Sequence, residues 1–436
     1  GLATAPDNEQ LHGRLSGQII FSPTARLQFD GTYAITEQDQ DFLDYSVNPA
    51  LIVVEPVPRT DFNGELATGA FSTRLMFRPT TKLGLEGYYK HRNRDYDTPR
   101  DGYRSIRGDR GNQPQSAHTV YNTAHDYRSD TVGLERTNRL PLRSRLKLDY
   151  AYEKIERTNA AVEETEEDRF TVGYRIQPWS NFSANIELLY GDRRADIYNW
   201  DQSYFALLDV ELINATPDNQ RYITHPELSQ YYLSNRERLE GKIDLNWLPA
   251  ERWNLGLNLL WHEDDYDKSE LGLTAASWQR FNLSASYAAA KDLSATLYAG
   301  YDLYESEQGS RAFRGGQEKN AFAVYPPLPQ ASDPARNWDI DTQDTSFTLG
   351  ANLLWQARED IRVELDYSYV DTTAEQDMTT RTRSLVASDL PDVDTHMHHL
   401  VVGATWEMDE NLSLRLDYQY YRYKSDDWAW NGVQPD

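Results

Sequence analysis

Three groups of side chains in this sequence have the types and spacing to do chemistry. His396, His398 and His399 flank Met397, and imidazole with thioether is a ligand set for a metal ion or a haem iron. Asp264, Asp265 and Asp267 sit in the run Glu263-Asp264-Asp265-Tyr266-Asp267. They offer half of the oxygen ligands of a Ca²⁺ loop, without its glycine and terminal glutamate. Paired carboxylates of the kind a glycosidase uses are scattered along the whole chain, and no single pair stands out. No nucleophile accompanies them, because the P-loop, GxSxG and HExxH patterns are all missing. The chain has no Cys, so it has no disulfide, thiolate metal site, Cys nucleophile or covalent haem attachment motif. A solvated cluster is the plain reading of the histidines, and an acidic surface that of the aspartates. Ca²⁺ is the one ion the sequence suggests, and no cofactor is expected in the chain itself.

Composition says what kind of scaffold must position these groups. The 436 residues carry 69 acidic and 44 basic side chains, a formal net charge of −25. Nucleic acid is excluded as a partner, since phosphate contacts need clustered Lys and Arg. No apolar run reaches the ~18 residues of a transmembrane helix. A membrane barrel stays open, because its alternating strands average out as hydrophilic. The 29 Tyr, 11 Trp and 13 Phe are far too many for a disordered acidic chain.

The elements follow from period-two alternation. In Trp253–Trp261, positions 253, 255, 257, 259 and 261 are Trp or Leu, while Asn254, Gly256 and Asn258 intervene and Leu260 is the exception. Residues 238–247 alternate likewise, and Leu248-Pro249-Ala250-Glu251 joins the two as a turn. The same hairpin recurs around Ser22-Pro23-Thr24, Arg78-Pro79-Thr80-Thr81, Leu140-Pro141-Leu142-Arg143, Pro178-Trp179-Ser180, Ala288-Ala289-Ala290-Lys291, Gln356-Ala357-Arg358-Glu359 and Glu407-Met408-Asp409-Glu410. Eight hairpins give about sixteen strands of roughly ten residues. The other connections, 37–61, 93–127, 157–167, 192–234, 263–276, 304–343 and 372–397, are mostly long and acidic, as in Glu163-Glu164-Thr165-Glu166-Glu167-Asp168. Short turns alternating with long loops predict an all-β fold: a transmembrane antiparallel up-and-down β-barrel, one domain over 1–436. The expected placement is the bacterial outer membrane, with short turns periplasmic and long acidic loops extracellular. A propeller would need two more strands per period, and a soluble sandwich would have to bury sixteen matched strands.

The two faces of these strands carry different residues. One is aliphatic and ends in rings. Trp247, Trp253, Trp355 and Trp406 lie beside short turns, Tyr88, Tyr150, Tyr190, Tyr301, Tyr369 and Tyr420 near long loops, and Trp261 joins the set. Such rings are predicted to form the girdles at the two membrane interfaces, against outer-membrane lipid. The other face is charged in both signs: Arg26, Asp30, Lys82, Glu86, Lys90, Arg145, Lys147, Asp149, Glu153, Arg238, Glu240, Lys242, Asp244, Arg362, Glu364, Asp366, Arg415 and Asp417. These are expected to line a lumen too wide to be filled by side chains. The lumen is either a solvated porin wall or a sleeve around a guest, and mixed charge alone does not separate the two.

Several stretches resemble the decahaem-associated outer-membrane family of the MtrB/PioB type. They are Phe62-Asn63-Gly64-Glu65, the run Leu83-Gly84-Leu85-Glu86-Gly87-Tyr88-Tyr89-Lys90-His91-Arg92-Asn93-Arg94-Asp95, Thr98-Pro99-Arg100, Arg169-Phe170-Thr171-Val172-Gly173-Tyr174 and Leu412-Ser413-Leu414-Arg415-Leu416-Asp417-Tyr418. The resemblance implies a non-enzymatic sheath that holds a periplasmic multihaem c-type cytochrome in the lumen. An extracellular multihaem cytochrome is implied as a further partner, and electron transfer across the outer membrane as the purpose. The haems would belong to the partner. Members of that family are larger and some carry an N-terminal Cys pair, so strands beyond both ends of this sequence are expected. A solute-conducting porin is the alternative function, and an outer-membrane enzyme or adhesin rests only on the acidic loops.

Overall fold

The computed structural model describes residues 7–43, 56–104, 119–199, 202, 206–208, 225, 227–312, 332–381 and 390–430. Alternating residues drive nineteen strands, in chain order β1 (Glu9–Ser22), β2 (Ala25–Gln38), β3 (Gly64–Phe77), β4 (Leu83–Tyr96), β5 (Gly102–Tyr103), β6 (Val120–Tyr121), β7 (Tyr127–Leu140), β8 (Ser144–Arg157), β9 (Glu164–Trp179), β10 (Phe182–Ala195), β11 (Leu228–Ser229), β12 (Arg236–Trp247), β13 (Trp253–Asp265), β14 (Leu271–Ala288), β15 (Leu293–Arg311), β16 (Asn337–Arg358), β17 (Ile361–Thr380), β18 (Leu390–Asp409) and β19 (Leu412–Asp426). Three of these, β5, β6 and β11, are two-residue pieces in the long connections. The other sixteen form one antiparallel meander in which each strand pairs with the next long strand. Among the described residues β1 and β19 do not pair with each other. No described helix is long and apolar enough to cross a membrane.

The eight hairpins stand where the alternation puts them, but the strands run 12 to 22 residues, longer than the roughly ten predicted. The extra length lies at the long-loop end. Strand β9 starts at Glu164 and β13 runs to Asp265, so most of the acidic runs predicted as loop are ladder. Likewise β15 reaches Arg311, β16 begins at Asn337, β17 ends at Thr380 and β18 begins at Leu390. Beyond the apolar belt both faces are polar, so the period-two signal vanishes while backbone pairing continues. Parts of the predicted loops 37–61, 93–127, 192–234, 304–343 and 372–397 fall outside the described residues.

Register carries the alternation from strand to strand. Leu245, Leu257, Ala285, Leu297, Ala351, Tyr367 and Leu400 all lie on the face that holds Leu283, Leu349, Leu353, Leu365 and Val402. Among the described residues this face packs against no second layer. Leu283, Leu297, Leu349 and Leu416 are 47%, 62%, 48% and 73% exposed. So many bare aliphatic side chains exclude a water-soluble sandwich and require an apolar surrounding. The buried cluster Ala161, Val162 and Leu233 is confined to the long-loop end.

The face assignment predicts opposite outcomes for adjacent residues. Leu257→Arg puts a guanidinium in the belt between Leu245 and Leu283 and is expected to destabilise the embedded barrel by ~2–4 kcal/mol. Asn258→Arg, one residue on and facing Asp244, is expected to cost under ~1 kcal/mol. Urea unfolding midpoints in lipid vesicles read the difference, and equal effects would contradict the assignment.

Candidate functional site

All the charged residues expected to line a lumen, Lys82 aside, share one face of the sheet. Register sets Glu86 opposite Glu135, Glu135 opposite Asp149, Asp244 opposite Asn258, Asp366 opposite Asn352, and Asp417 opposite Gly403. Lys82 sits in the turn before β4. The aromatic set occupies the other face, with Tyr301 opposite Phe347, Tyr420 opposite Leu400 and Tyr150 opposite Phe170 at 4.8 Å between ring centroids. Trp247, Trp253, Trp261, Trp355, Trp406, Tyr190 and Tyr369 fall on it too. Tyr88 is the exception. It lies on the polar face with Glu86 and Lys90, and its hydroxyl donates to Asp149 at 3.2 Å. Counted along β4, Tyr88 has the parity of Glu86, and its neighbour Tyr89 takes the apolar side.

Side chains on the polar face lie along the wall. Ion pairs join Arg14 to Asp30 (2.8 Å), Arg74 to Glu86 (2.9 Å), Lys147 to Glu135 (3.3 Å), Arg280 to Asp302 (2.6 Å), Arg362 to Glu364 (3.0 Å) and Arg415 to Asp417 (2.9 Å). Most are solvated, so each adds little stability. Their effect is geometric, because a side chain paired to the next strand or to a neighbour on its own strand lies against the sheet. Two tyrosines are laid flat in another way. Tyr88 covers Gly133 and Tyr298 covers Gly350, and a Cβ on either glycine would fall inside the ring.

The long-loop end of this face is the most buried. Asp264 accepts two bonds from Arg238, both 2.7 Å, and Arg236 donates to Glu167 at 2.7 Å. Asp264 is 7% exposed, and Arg236 and Glu167 are 11% exposed, so each charge depends on its partner. His262 bridges Glu240 (3.3 Å) and Asp264 (3.1 Å), and Lys242 pairs Glu240 at 2.6 Å. Tyr266, in the turn past β13, is buried; burial first and the Asp264 carboxylate second push its hydroxyl above its ordinary pKa. Arg193 donates to the Ser234 and Tyr231 carbonyls (2.8 and 2.6 Å), which ties the segment before β12 to the rim.

The suggested metal groups are not gathered. Within β18, His396 and His398 take the apolar face, where His396 meets Asp371 (2.7 Å) and His398 meets the Tyr367 hydroxyl (2.9 Å). His399 and Met397 take the polar face, and Gln419 bonds His399 at 2.7 Å. Asp264 is held by Arg238, and Asp265, the next residue on β13, faces the other way. Among the described residues no three His, Asp or Glu side chains are placed to hold a metal ion. The buried network was not legible as such: Glu167 belongs to a run that reads as an acidic loop, and its partner Arg236 lies 69 positions away.

The family model for the outer membrane beta-barrel porin family MtrB/PioB matches residues 1–436. The chain is 22% identical over 378 residues to the outer membrane protein MtrB of Shewanella baltica (strain OS185). That match takes in 86% of this chain and 48% of the relative, so the chain spans about half the length of the relative it matches. Among solved structures it is similar to the copper transporter OprC, with TM-score 0.44 and 14% identity over 96% of this chain and 60% of that one. A ferric enterobactin receptor of Pseudomonas aeruginosa gives TM-score 0.40 and 12% identity over 94% and 72% of the two chains.

Removing one partner from the buried network should uncouple the loop it holds. Asp264→Ala strands Arg238, while Arg236 keeps Glu167, and is expected to cost ~3–5 kcal/mol locally. Protease cleavage within the segment before β12 should then speed up, while cleavage at the short turns stays unchanged.

Proposed function

Because the chain belongs to the MtrB/PioB family of outer-membrane β-barrels, we propose that it is part of a sleeve carrying a multihaem c-type cytochrome across the outer membrane for extracellular electron transfer. The apolar face meets lipid and the polar face lines the lumen, with short turns in the periplasm and long loops outside. Hydrocarbon excludes charged redox centres, so a haem chain that crosses it needs a wall that is greasy outside and wet inside. The observation that carries this reading is the flattened inner wall: ion pairs that tie long side chains to the neighbouring strand, and Tyr88 and Tyr298 folded onto glycines. Such a wall leaves room for a bulky guest, and a barrel of sixteen or more strands is wide enough for a lumen.

The haems are the guest's. This chain has no Cys with which to attach haem through thioethers, and its part is to surround, orient and insulate. No residue is assigned a catalytic role. The name of the Shewanella relative points to the same setting, and an extracellular multihaem cytochrome is the natural receiver at the long-loop end. The loops at that end would reach it first.

Purification of the protein from native membranes tests the reading. A haem protein absorbing in the Soret region should accompany it, and the native complex in a planar bilayer should conduct little. Haem-free protein with a large open conductance would establish the porin instead.

A further inference from the structure

The charges on the polar face are not evenly spread. At its short-turn end β2–β9 carry Arg26, Arg78, Lys82, Arg139, Arg145 and Arg175, around a groove of about 370 Å³ that the first five line. Register sets Arg139 directly opposite Arg145, and Arg145 directly opposite Arg175. The Arg139 backbone N–H donates to the Lys82 carbonyl at 2.8 Å, which extends the row by one more cation. Like charges directly opposed across strands are destabilising. Among the described residues none of these six makes an ion pair, and the neighbouring carboxylates Glu86 and Glu135 are taken by Arg74 and Lys147.

Across β13–β16 the same level is neutral, and on β17 and β19 the cations Arg362 and Arg415 are paired to Glu364 and Asp417. The neutral cross-strand row reads Asn254, Ser286, Thr296, Asn352, closed by a Ser286–Thr296 hydrogen bond of 2.9 Å. A solvated wall needs nothing more than such a row. The cationic row therefore has a different cause, and in a chain of 69 acidic to 44 basic residues composition does not supply it. Five of the six cations are exposed, with Arg26 half-buried, so their charge is available to something that comes to this face.

We propose that this strip, Lys82–Arg139–Arg145–Arg175 with Arg26 and Arg78, is the docking surface for a carboxylate-rich protein surface at the periplasmic mouth of the lumen. The inference rests on the sleeve reading: the partner is the guest that the sleeve encloses, and the strip sets which side of it faces the β4–β9 wall. Opposed arginines gain from an acidic partner what they lose by facing each other, and electrostatic steering would favour the guest's entry in that orientation.

The test compares wild type with the Arg139→Glu/Arg145→Glu/Arg175→Glu variant, purified from native membranes in rising NaCl, with Soret absorbance per barrel as the readout. At physiological salt, with a Debye length of about 8 Å, the reversed variant should retain at least about fivefold less haem protein. Wild type should shed its haem protein as NaCl rises. The triple lysine variant at the same positions should retain it, as should Asn254→Glu/Thr296→Glu in the neutral β13–β16 sector. Should the reversed variant fail to assemble, the wild-type salt titration and the lysine variant still decide. Equal retention by the assembled reversed variant, or wild-type retention that ignores salt, overturns the docking surface and leaves the sleeve standing. Wild-type protein that carries no haem protein at any salt overturns both.

Discussion

Everything in this fold depends on satisfying backbone hydrogen bonds where there is no water to do it. In hydrocarbon an unpaired N–H or C=O costs several kcal/mol. An extended chain meets that demand only by pairing with neighbours on both sides. The sixteen-strand meander does so from β2 to β18. The edges of β1 and β19, unpaired among the described residues, are where the same rule calls for further hydrogen-bond partners. Once pairing is fixed, side chains have only two directions to take. One is given to Leu, Val and aromatic rings, the other to Asn, Ser, Thr and ion pairs. Membrane insertion and a wet interior are thus one property of the chain.

The wall that results is thin and has little core. Its stability comes from the ladder and from the medium around it. Charges on its polar side therefore serve geometry more than energy: Arg74–Glu86 or Arg280–Asp302 hold long side chains down. The long-loop end differs. There Arg236, Glu167, Arg238 and Asp264 are withdrawn from water and bonded to one another, and Arg193 clasps the segment before β12. The short-turn end of β7–β9 differs again, with Arg139, Arg145 and Arg175 opposed to one another and, among the described residues, in no ion pair. One face thus has a closed upper rim, a neutral or self-paired middle and a basic lower sector.

The hairpins, their turns and the division of faces were legible because period two survives any amount of tertiary rearrangement. Leu260 interrupts the alternation at 253–261, and the structure seats it on the polar face opposite Lys242 and Arg280. Strand ends were less legible. Glu164–Asp168 and Asp264–Asp265 read as loop, since above the belt neither face is apolar and the pattern carries no sign of the ladder beneath. Tyr88 misled for a related reason: two adjacent tyrosines leave the residue type silent about which faces lipid. The resemblance carried by the 83–95 run and the late hairpin led to the family that the whole-chain match shows.

By itself the sequence determined the membrane class, the order and number of hairpins and the two faces, because each rests on neighbours along one chain. Which charges meet was settled in three dimensions. Arg236 finds Glu167 across 69 residues, His399 parts from His396 and His398, and Arg139, Arg145 and Arg175 come into one row. Such meetings depend on register, and register is set by the summed pairing of whole strands rather than by any local pattern.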